Sequence, residues 1–118
     1  MTYRMHFESQ LDSVEIRLPH YRAAVYEISV DGRRPKVGAF APYSAVFTDL
    51  KPGKHRLDVT LRYSRGNAFG RIHCADEKLA YPSPSAWRTK GDSWTYEYRL
   101  RRQGLLSAPL IREFTSKQ

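Results

Sequence analysis

Alternation of apolar and polar residues between positions 23 and 63 constrains the fold of this chain more than any other feature. Every second residue of 24–30 and of 57–61 is apolar or aromatic. A period of two residues is that of a strand with one buried face. A third run, 37–47, is interrupted by Pro42, which lacks the N–H of a central ladder position and suits an edge strand or a bulge. The stretch therefore predicts three β-strands.

Two turn sequences separate these strands. Asp31-Gly32 follows the first apolar run, and Lys51-Pro52-Gly53-Lys54 precedes the last one. Proline presets φ at the second position of a type I or type II turn, and glycine tolerates the positive φ that can follow it. Both sequences are typical of tight connections between strands.

Further strands are predicted on either side of this stretch. Segments 2–8 and 13–18 alternate in the same way and are predicted to form a hairpin connected by residues 10–13. Segment 93–100 places Trp94, Tyr96 and Tyr98 on one face, which predicts a strand with these rings in the core. Segment 111–114 predicts a last strand, and no helix signal exceeds one turn. Six or seven strands without crossover helices predict an all-β antiparallel β-sandwich.

Length and composition agree with a single small domain. The chain has 118 residues, seven glycines and seven prolines, which suits one all-β domain spanning 1–118. No apolar run reaches the length of a membrane span, and residues 1–4 lack the apolar core of a signal peptide. The lone cysteine, Cys74, is interpreted as a small buried apolar residue. The sequence does not indicate a compartment.

The positive charge of the chain raises the question of a polyanionic partner. Lys and Arg number 20 and Asp and Glu 12, which gives a net charge of +8, and such an excess attracts nucleic acid non-specifically. The basic residues are scattered, however, and the one dense group is Arg99, Arg101 and Arg102. Arginines that alternate along a strand are more typical of a solvated face, so the pattern disfavours nucleic acid as a partner.

The order of strands and turns resembles a known family. Val30-Asp31-Gly32, Pro42-Tyr43, Leu50-Lys51-Pro52-Gly53 and the strand 57–61 follow one another as in the galactose-binding-like jelly-roll domains that accompany bacterial glycoside hydrolases. The similarity is greatest to the sugar-binding domains of family 2 and related enzymes. Segments 66–73 and 92–106 resemble the closing part of the same domain.

The resemblance implies a galactose-binding-domain-like jelly roll and a non-catalytic role. Nothing in the chain matches the acid and the nucleophile of a catalytic barrel. The implied protein is an accessory, C-terminal domain cut from a longer glycosidase. Its implied partners are the catalytic and neighbouring domains of that enzyme, with glycan as a further partner and no membrane.

The long segment 71–92 contains the candidate site. It shows no sustained period, and long irregular segments in small domains tend to be functional. Trp87, Tyr81 and His73 are candidates for stacking on a sugar, with Arg71 and Arg88 as polar neighbours. The alternatives are that the rings hold the segment onto the sandwich, the favoured interpretation, or that they contact a neighbouring domain.

No cofactor or metal is predicted. Asp76-Glu77 is the one adjacent acidic pair, and sequence neighbours on a polar loop seldom face each other across a cleft as glycosidase carboxyls do. The four histidines lack the close spacing of zinc ligands. An independent carbohydrate-binding module and a basic polyanion binder remain alternatives to the accessory domain.

Overall fold

The computed structural model describes residues 1–65, 72–75 and 91–116. The chain forms two compact units, one made of Met1–Tyr63 with Gln103–Gln118 and the other of Ser64–Arg102. All nine strands of the described residues belong to the first unit. Regular helix in the described part of the chain is limited to one 3₁₀ turn, Gly91–Ser93.

The strands are short except for the first and the seventh. Their bounds are β1 Thr2–Ser9, β2 Ser13–Arg17, β3 Tyr21–Arg22, β4 Val25–Val30, β5 Lys36–Gly38, β6 Ser44–Phe47, β7 Gly53–Arg62, β8 Gly104–Leu105 and β9 Leu110–Phe114. β9 agrees with the predicted last strand. The order is β1-β7-β4-β5 in a four-stranded sheet, β6-β2-β9 in a three-stranded sheet and β3-β8 in a two-stranded sheet. Every pair is antiparallel.

The predicted all-β, antiparallel, sandwich-like fold is confirmed. The jelly-roll connection of the strands and the extent of a single domain over 1–118 stay predictions. The apolar faces of the two larger sheets share one core, because a single cluster of buried side chains draws on β2, β4, β6 and β7. Its members are Val14, Ile16, Leu18, Tyr26, Ile28, Val30, Ala45, Phe47, Leu50, Leu57, Val59 and Leu61.

The predicted hairpin between β1 and β2 is wrong. β1 pairs along its whole length with β7, so that Tyr3 lies opposite Val59, and β2 lies between β6 and β9 in the other sheet. The connection instead carries the chain from one sheet to the other. Ser9 and Ser13 are fully buried there, and the Ser9 hydroxyl donates to the Leu11 carbonyl at 3.0 Å. Both strands keep their predicted apolar faces, but the faces contact the same core from different sheets.

The predicted run 37–47 is divided between the two sheets. β5 pairs with β4, and β6 pairs with β2. Pro42 lies between β5 and β6, with a cis peptide bond from Ala41, and Tyr43 follows with φ of 56°. The interruption at Pro42 is therefore the place where the chain changes sheets, which alternation along the run did not indicate.

The turn at Asp31-Gly32 is confirmed. Asp31 and Gly32 have φ values of 52° and 72°, and the Arg33 N–H donates to the Val30 carbonyl at 2.9 Å. Positive φ at both central positions is the signature of the turn whose twist matches a β-hairpin. The turn begins the connection 31–35 between β4 and β5. Gly53, with φ of 132°, begins β7.

The second unit contains no paired strand among its described residues, so the predicted strand 93–100 is wrong. An isolated bridge joins Cys74 to Trp94, and the Arg99 N–H donates to the Ile72 carbonyl at 2.7 Å. Tyr96 and Tyr98 are exposed, not in a core. Alternating aromatic residues bury one face only where a neighbouring strand completes the sheet, and the described contacts supply a single bridge.

Candidate functional site

Four of the five predicted site residues lie outside the described residues. These are Arg71, Tyr81, Trp87 and Arg88, and their part in a site stays a prediction. His73 is described and half-buried. It lies in the second unit beside aromatic residues that were predicted to lie on the buried face of a strand.

Hydrogen bonds on both the backbone and the ring hold His73 in place. The Thr95 N–H donates to the His73 carbonyl at 2.9 Å, and His73 Nδ1 lies 2.9 Å from the Thr95 carbonyl oxygen. Because a carbonyl oxygen only accepts, Nδ1 carries the hydrogen. In the neutral ring Nε2 then carries no hydrogen.

His73 is part of a chain of four aromatic rings, which we call the ring array and which consists of His73, Trp94, Tyr96 and Tyr98. The His73 ring stacks on Trp94 with centroids 5.1 Å apart and an interplanar angle of 20°. The Tyr98 ring is tilted against the His73 ring, with a centroid distance of 4.7 Å and an interplanar angle of 47°. Tyr96 meets Trp94 edge to face at 4.3 Å. Such ring pairs favour each other beyond the area they bury, by about 0.5–1.5 kcal/mol.

The two tyrosines of the ring array are open to solvent. Tyr96 is 88% exposed and Tyr98 is 67% exposed, whereas Trp94 and His73 are half-buried. Leu100, two residues farther on, is 60% exposed. Large contiguous patches of exposed apolar and aromatic side chains mark binding surfaces. A ring of this kind can stack on the C–H face of a sugar while its hydroxyl bonds to a polar group.

Positive charge follows the ring array directly in sequence. Arg99, Arg101 and Arg102 are exposed, and the Glu97 carboxylate lies 3.8 Å from Arg99. An exposed pair at that distance is screened by water and contributes little to stability. Residues 98–102 themselves contain three arginines and no acid.

Trp94, Tyr96 and Tyr98 were predicted to be core residues, because their spacing of two matches a buried strand. A different signal was present. Segment 93–102 contains one aliphatic residue, Leu100, among aromatic, charged and polar ones. Buried strands are usually rich in Val, Ile and Leu, so this composition indicates an aromatic surface better than a core strand.

A second group of tyrosines lies in the first unit and is structural. Tyr21, Tyr26 and Tyr43 meet edge to face, with Tyr21 centroids 5.6 Å from Tyr26 and 5.5 Å from Tyr43. Burial raises the pKa of Tyr21 and of Tyr26, and the neighbouring Tyr43 adds to both shifts. A Cβ at Gly38 would collide with the Tyr26 hydroxyl. The close approach of Tyr26 explains why residue 38 is glycine. The contacts among the three tyrosine rings leave little room for a ligand.

The one His–Asp pair described in the first unit is also structural. His55 Nδ1 lies 2.6 Å from an Asp31 carboxylate oxygen, and Nε2 lies 2.8 Å from the Lys51 carbonyl oxygen. His55 is only 7% exposed. Because both ring nitrogens already have protein partners, neither is available to move a substrate proton.

Neither a metal site nor a membrane-spanning helix is found in the described part of the chain. No three His, Cys, Asp or Glu side chains among the residues 1–65, 72–75 and 91–116 come together as metal ligands would. Within the same residues no helix is long and apolar enough to cross a membrane.

Comparisons with known proteins do not add a family. No family model matches the chain, and neither the curated proteins nor the solved structures contain a significant match.

Proposed function

We propose that this chain is a non-catalytic β-sandwich accessory domain of a glycoside hydrolase, of the galactose-binding-like jelly-roll type, and that its ring array contacts a saccharide. The observation that carries the proposal is the pair of exposed tyrosines, Tyr96 and Tyr98, at the two ends of the array. An exposed ring can stack on the apolar face of a sugar. The stacking favours binding because it removes apolar area of both the ring and the sugar from water.

The arrangement of the inner rings supports this role. Trp94 and His73 stack on each other, and His73 is further held through Thr95. A ring that is held before the ligand arrives loses less conformational freedom on binding. The array therefore combines a fixed centre with two accessible ends.

The strand and turn order of the first unit supports the family part of the proposal. The Val30-Asp31-Gly32 turn and the strand β7 belong to the order of motifs on which the resemblance rests. These features are structural, so they bear on the fold and not on the ligand. The catalytic residues of the enzyme would lie in another domain.

The test is a glycan-array screen of the whole chain and of two alanine variants. Tyr96→Ala removes an almost fully exposed ring and is expected to keep the fold, and it should lower binding about fivefold, since a stacked ring contributes roughly 1 kcal/mol. Phe40→Ala is the matched control, because Phe40 is 82% exposed but belongs to the first unit. Equal binding by both variants, or no binding by the folded wild type, would remove the saccharide role of the array.

A second candidate role is packing against a neighbouring domain of the same enzyme. Val37 and Phe40 of the first unit are 65% and 82% exposed, which is a large exposure for apolar side chains close together in sequence. If a folded wild-type chain binds no glycan in the screen, this role is favoured over saccharide contact.

A further inference from the structure

One edge of the four-stranded sheet, along β1, has no strand partner. β1 stands at one end of the order β1-β7-β4-β5 and pairs with β7 along all eight of its residues without a bulge. Among residues 1–65, 72–75 and 91–116, no backbone group is hydrogen-bonded to the backbone of β1 from its other side. Exposed edges are usually short or interrupted by proline or a bulge, and β1 has none of these features. The edge is therefore a template for pairing with another strand.

The ladder between β1 and β7 determines which residues face this edge. Met1 and Leu61 exchange two bonds, since the Leu61 N–H donates to the Met1 carbonyl at 2.9 Å and the Met1 nitrogen donates to the Leu61 carbonyl at 3.1 Å. Bonded and non-bonded pairs alternate along an antiparallel ladder, so the odd-numbered residues of β1 bond to β7. The N–H and C=O groups at the open edge belong to the even-numbered residues, Thr2, Arg4, His6 and Glu8, whose side chains are exposed.

We infer that two copies of this chain associate through β1, antiparallel about a twofold axis at His6, so that their four-stranded sheets become one eight-stranded sheet. This inference is independent of the proposed saccharide role. The symmetry places His6 opposite His6 of the second copy and Arg4 opposite Glu8 of the second copy. All of these residues are even-numbered, so their free backbone groups meet as bonded pairs of the new ladder.

Charge complementarity selects this register. Within one copy Arg4 lies opposite Asp58 and Glu8 lies opposite Lys54. Pairing of the two copies therefore gives a row of alternating charge across four strands, namely Asp58, Arg4, Glu8 of the second copy and Lys54 of the second copy. Opposite charges directly across two strands favour their pairing, and like charges oppose it. The association forms this row twice.

The neighbouring registers lack these pairs. A shift by two residues in one direction places Arg4 opposite His6 and Glu8 opposite Thr2, with no carboxylate facing a guanidinium. A shift by two in the other direction places Arg4 opposite Gln10 and shortens the ladder. The register centred on His6 is therefore the one that matches both charged residues of β1.

The existing partners of Arg4 and Glu8 are compatible with this contact. Arg4 donates to the Asp58 carboxylate from Nε at 2.8 Å and from Nη2 at 3.5 Å, and its side chain stays 60% exposed. A guanidinium has five N–H donors, so it can bond to a second carboxylate. Glu8 accepts from Gln10 Nε2 at 3.3 Å, and a carboxylate has about four acceptor positions.

The inner face of β1 supplies apolar contacts in the same register. Tyr3, Met5 and Phe7 are half-buried and pack against the core. Met5 lies opposite Phe7 of the second copy, again twice, in non-bonded pairs, where side chains across a ladder approach most closely. Thioether and aromatic groups attract each other, and the contact removes from water the apolar area that the edge leaves exposed.

A disulfide at the axis tests the register. Two residues of a bonded pair have Cα atoms about 5.5 Å apart, which suits a disulfide. His6→Cys treated with a mild oxidant should therefore form a dimer linked through residue 6 of both copies, as read by peptide mass spectrometry. Thr2→Cys is the matched control, because it lies on the same strand and face but far from the axis. It should stay monomeric, and the native Cys74 is buried in both variants.

Charge reversal tests the complementarity. Sedimentation velocity near about 0.15 M salt, where distant charges are screened, should show a dimer of the wild type. Arg4→Glu and Glu8→Arg should each weaken self-association at least about tenfold, whereas an equimolar mixture of the two variants should form a heterodimer. Arg34→Glu is the control for net charge, since Arg34 is exposed outside β1, and it should dimerise as the wild type does. Circular dichroism checks that each variant is folded.

The other outcomes overturn the inference. A wild type that stays monomeric up to its solubility limit would reject the association. Equal cross-linking of Thr2→Cys and His6→Cys would reject the register, and a dimer that persists in both charge variants would assign the association to another surface. Failure of the mixed variants to associate, with each of them folded, would reject the pairing of Arg4 with Glu8. None of these results bears on the saccharide role of the ring array.

Discussion

Asp31 and His55 join the β4–β5 turn to the beginning of β7 through a contact of 2.6 Å between a carboxylate oxygen and Nδ1. The other Asp31 oxygen accepts the Arg56 N–H at 2.8 Å. Asp31 therefore fixes two consecutive residues of β7 from a residue whose own φ is 52°. The pair holds one end of the four-stranded sheet in register.

Replacing Asp31 by Asn should destabilise the fold. Asn tolerates positive φ as Asp does, so Asp31→Asn keeps the turn and removes the charge that faces the buried imidazole. We expect a loss of about 1–3 kcal/mol in the free energy of unfolding, measured by urea denaturation. Asp49→Asn is the control, because Asp49 is exposed and also has positive φ. A loss in Asp31→Asn no larger than in Asp49→Asn would contradict this account.

The same contact should make stability depend on pH in the acid range. Burial raises the pKa of Asp31, but hydrogen bonds from the Arg56 N–H and from His55 outweigh it, and the net pKa lies below 3.8. A lowered folded-state pKa stabilises the fold above the unfolded pKa, and the contribution is lost as pH falls through the folded value. The stability difference between wild type and Asp31→Asn should therefore be full near about pH 6 and shrink below about pH 4. A stability difference that grows as the pH falls would contradict a lowered pKa of Asp31.

Alternation along the sequence predicted which faces are buried, because burial of a strand face depends on local pattern. Ile28 and Val59 lie fully buried, as their spacing indicates. Alternation does not specify partners. β1 pairs with β7, more than 40 residues away in sequence, because the core of the whole unit decides which sheet edge each strand completes.

The pairing of β1 with β7 can be tested by a disulfide. Thr2 lies opposite Thr60, and their hydroxyl oxygens are 2.9 Å apart, so Thr2→Cys with Thr60→Cys should close a disulfide on oxidation. After oxidation, mass spectrometry should find that neither introduced cysteine of the folded chain reacts with an alkylating agent. Thr2→Cys with Glu15→Cys is the control. Both of its introduced cysteines should still react with the alkylating agent, because Glu15 lies on β2 in the other sheet. Failure of the Thr2→Cys, Thr60→Cys pair to cross-link in the folded chain would contradict the pairing of β1 with β7.

Tyr63 should ionise far above the usual range of tyrosine. Burial and a hydrogen bond with Tyr3 raise the pKa of Tyr63 to about 12. A raised folded-state pKa stabilises the fold below the unfolded value of 10.0, and this contribution is lost as pH rises through the folded value. The absorbance titration of the wild type minus that of Tyr63→Phe should show one phenol that titrates at about pH 12. Circular dichroism should show that the chain is still folded at that pH. A phenol titrating near about pH 10 would contradict the hydrogen bond.

The candidate site was predicted only in part. His73 was chosen from the sequence as a site residue, and it lies in the ring array. Tyr96 and Tyr98 were assigned to the core, because a spacing of two residues is the same for a buried strand and for an exposed extended segment. What separates the two cases is a neighbouring strand, and the bridge between Cys74 and Trp94 is the one strand-like pairing of the described second unit.

The measurement that tests the central claim most directly is the aromatic region of the NMR spectrum of the whole chain, titrated with a saccharide that binds in the screen. The ring signals of Trp94, Tyr96 and Tyr98 should shift together and saturate at one affinity, and the Phe40 signals should stay in place. Shifts confined to Phe40 and Tyr43, or no aromatic shift on binding, would contradict the assignment of the ring array as the saccharide site.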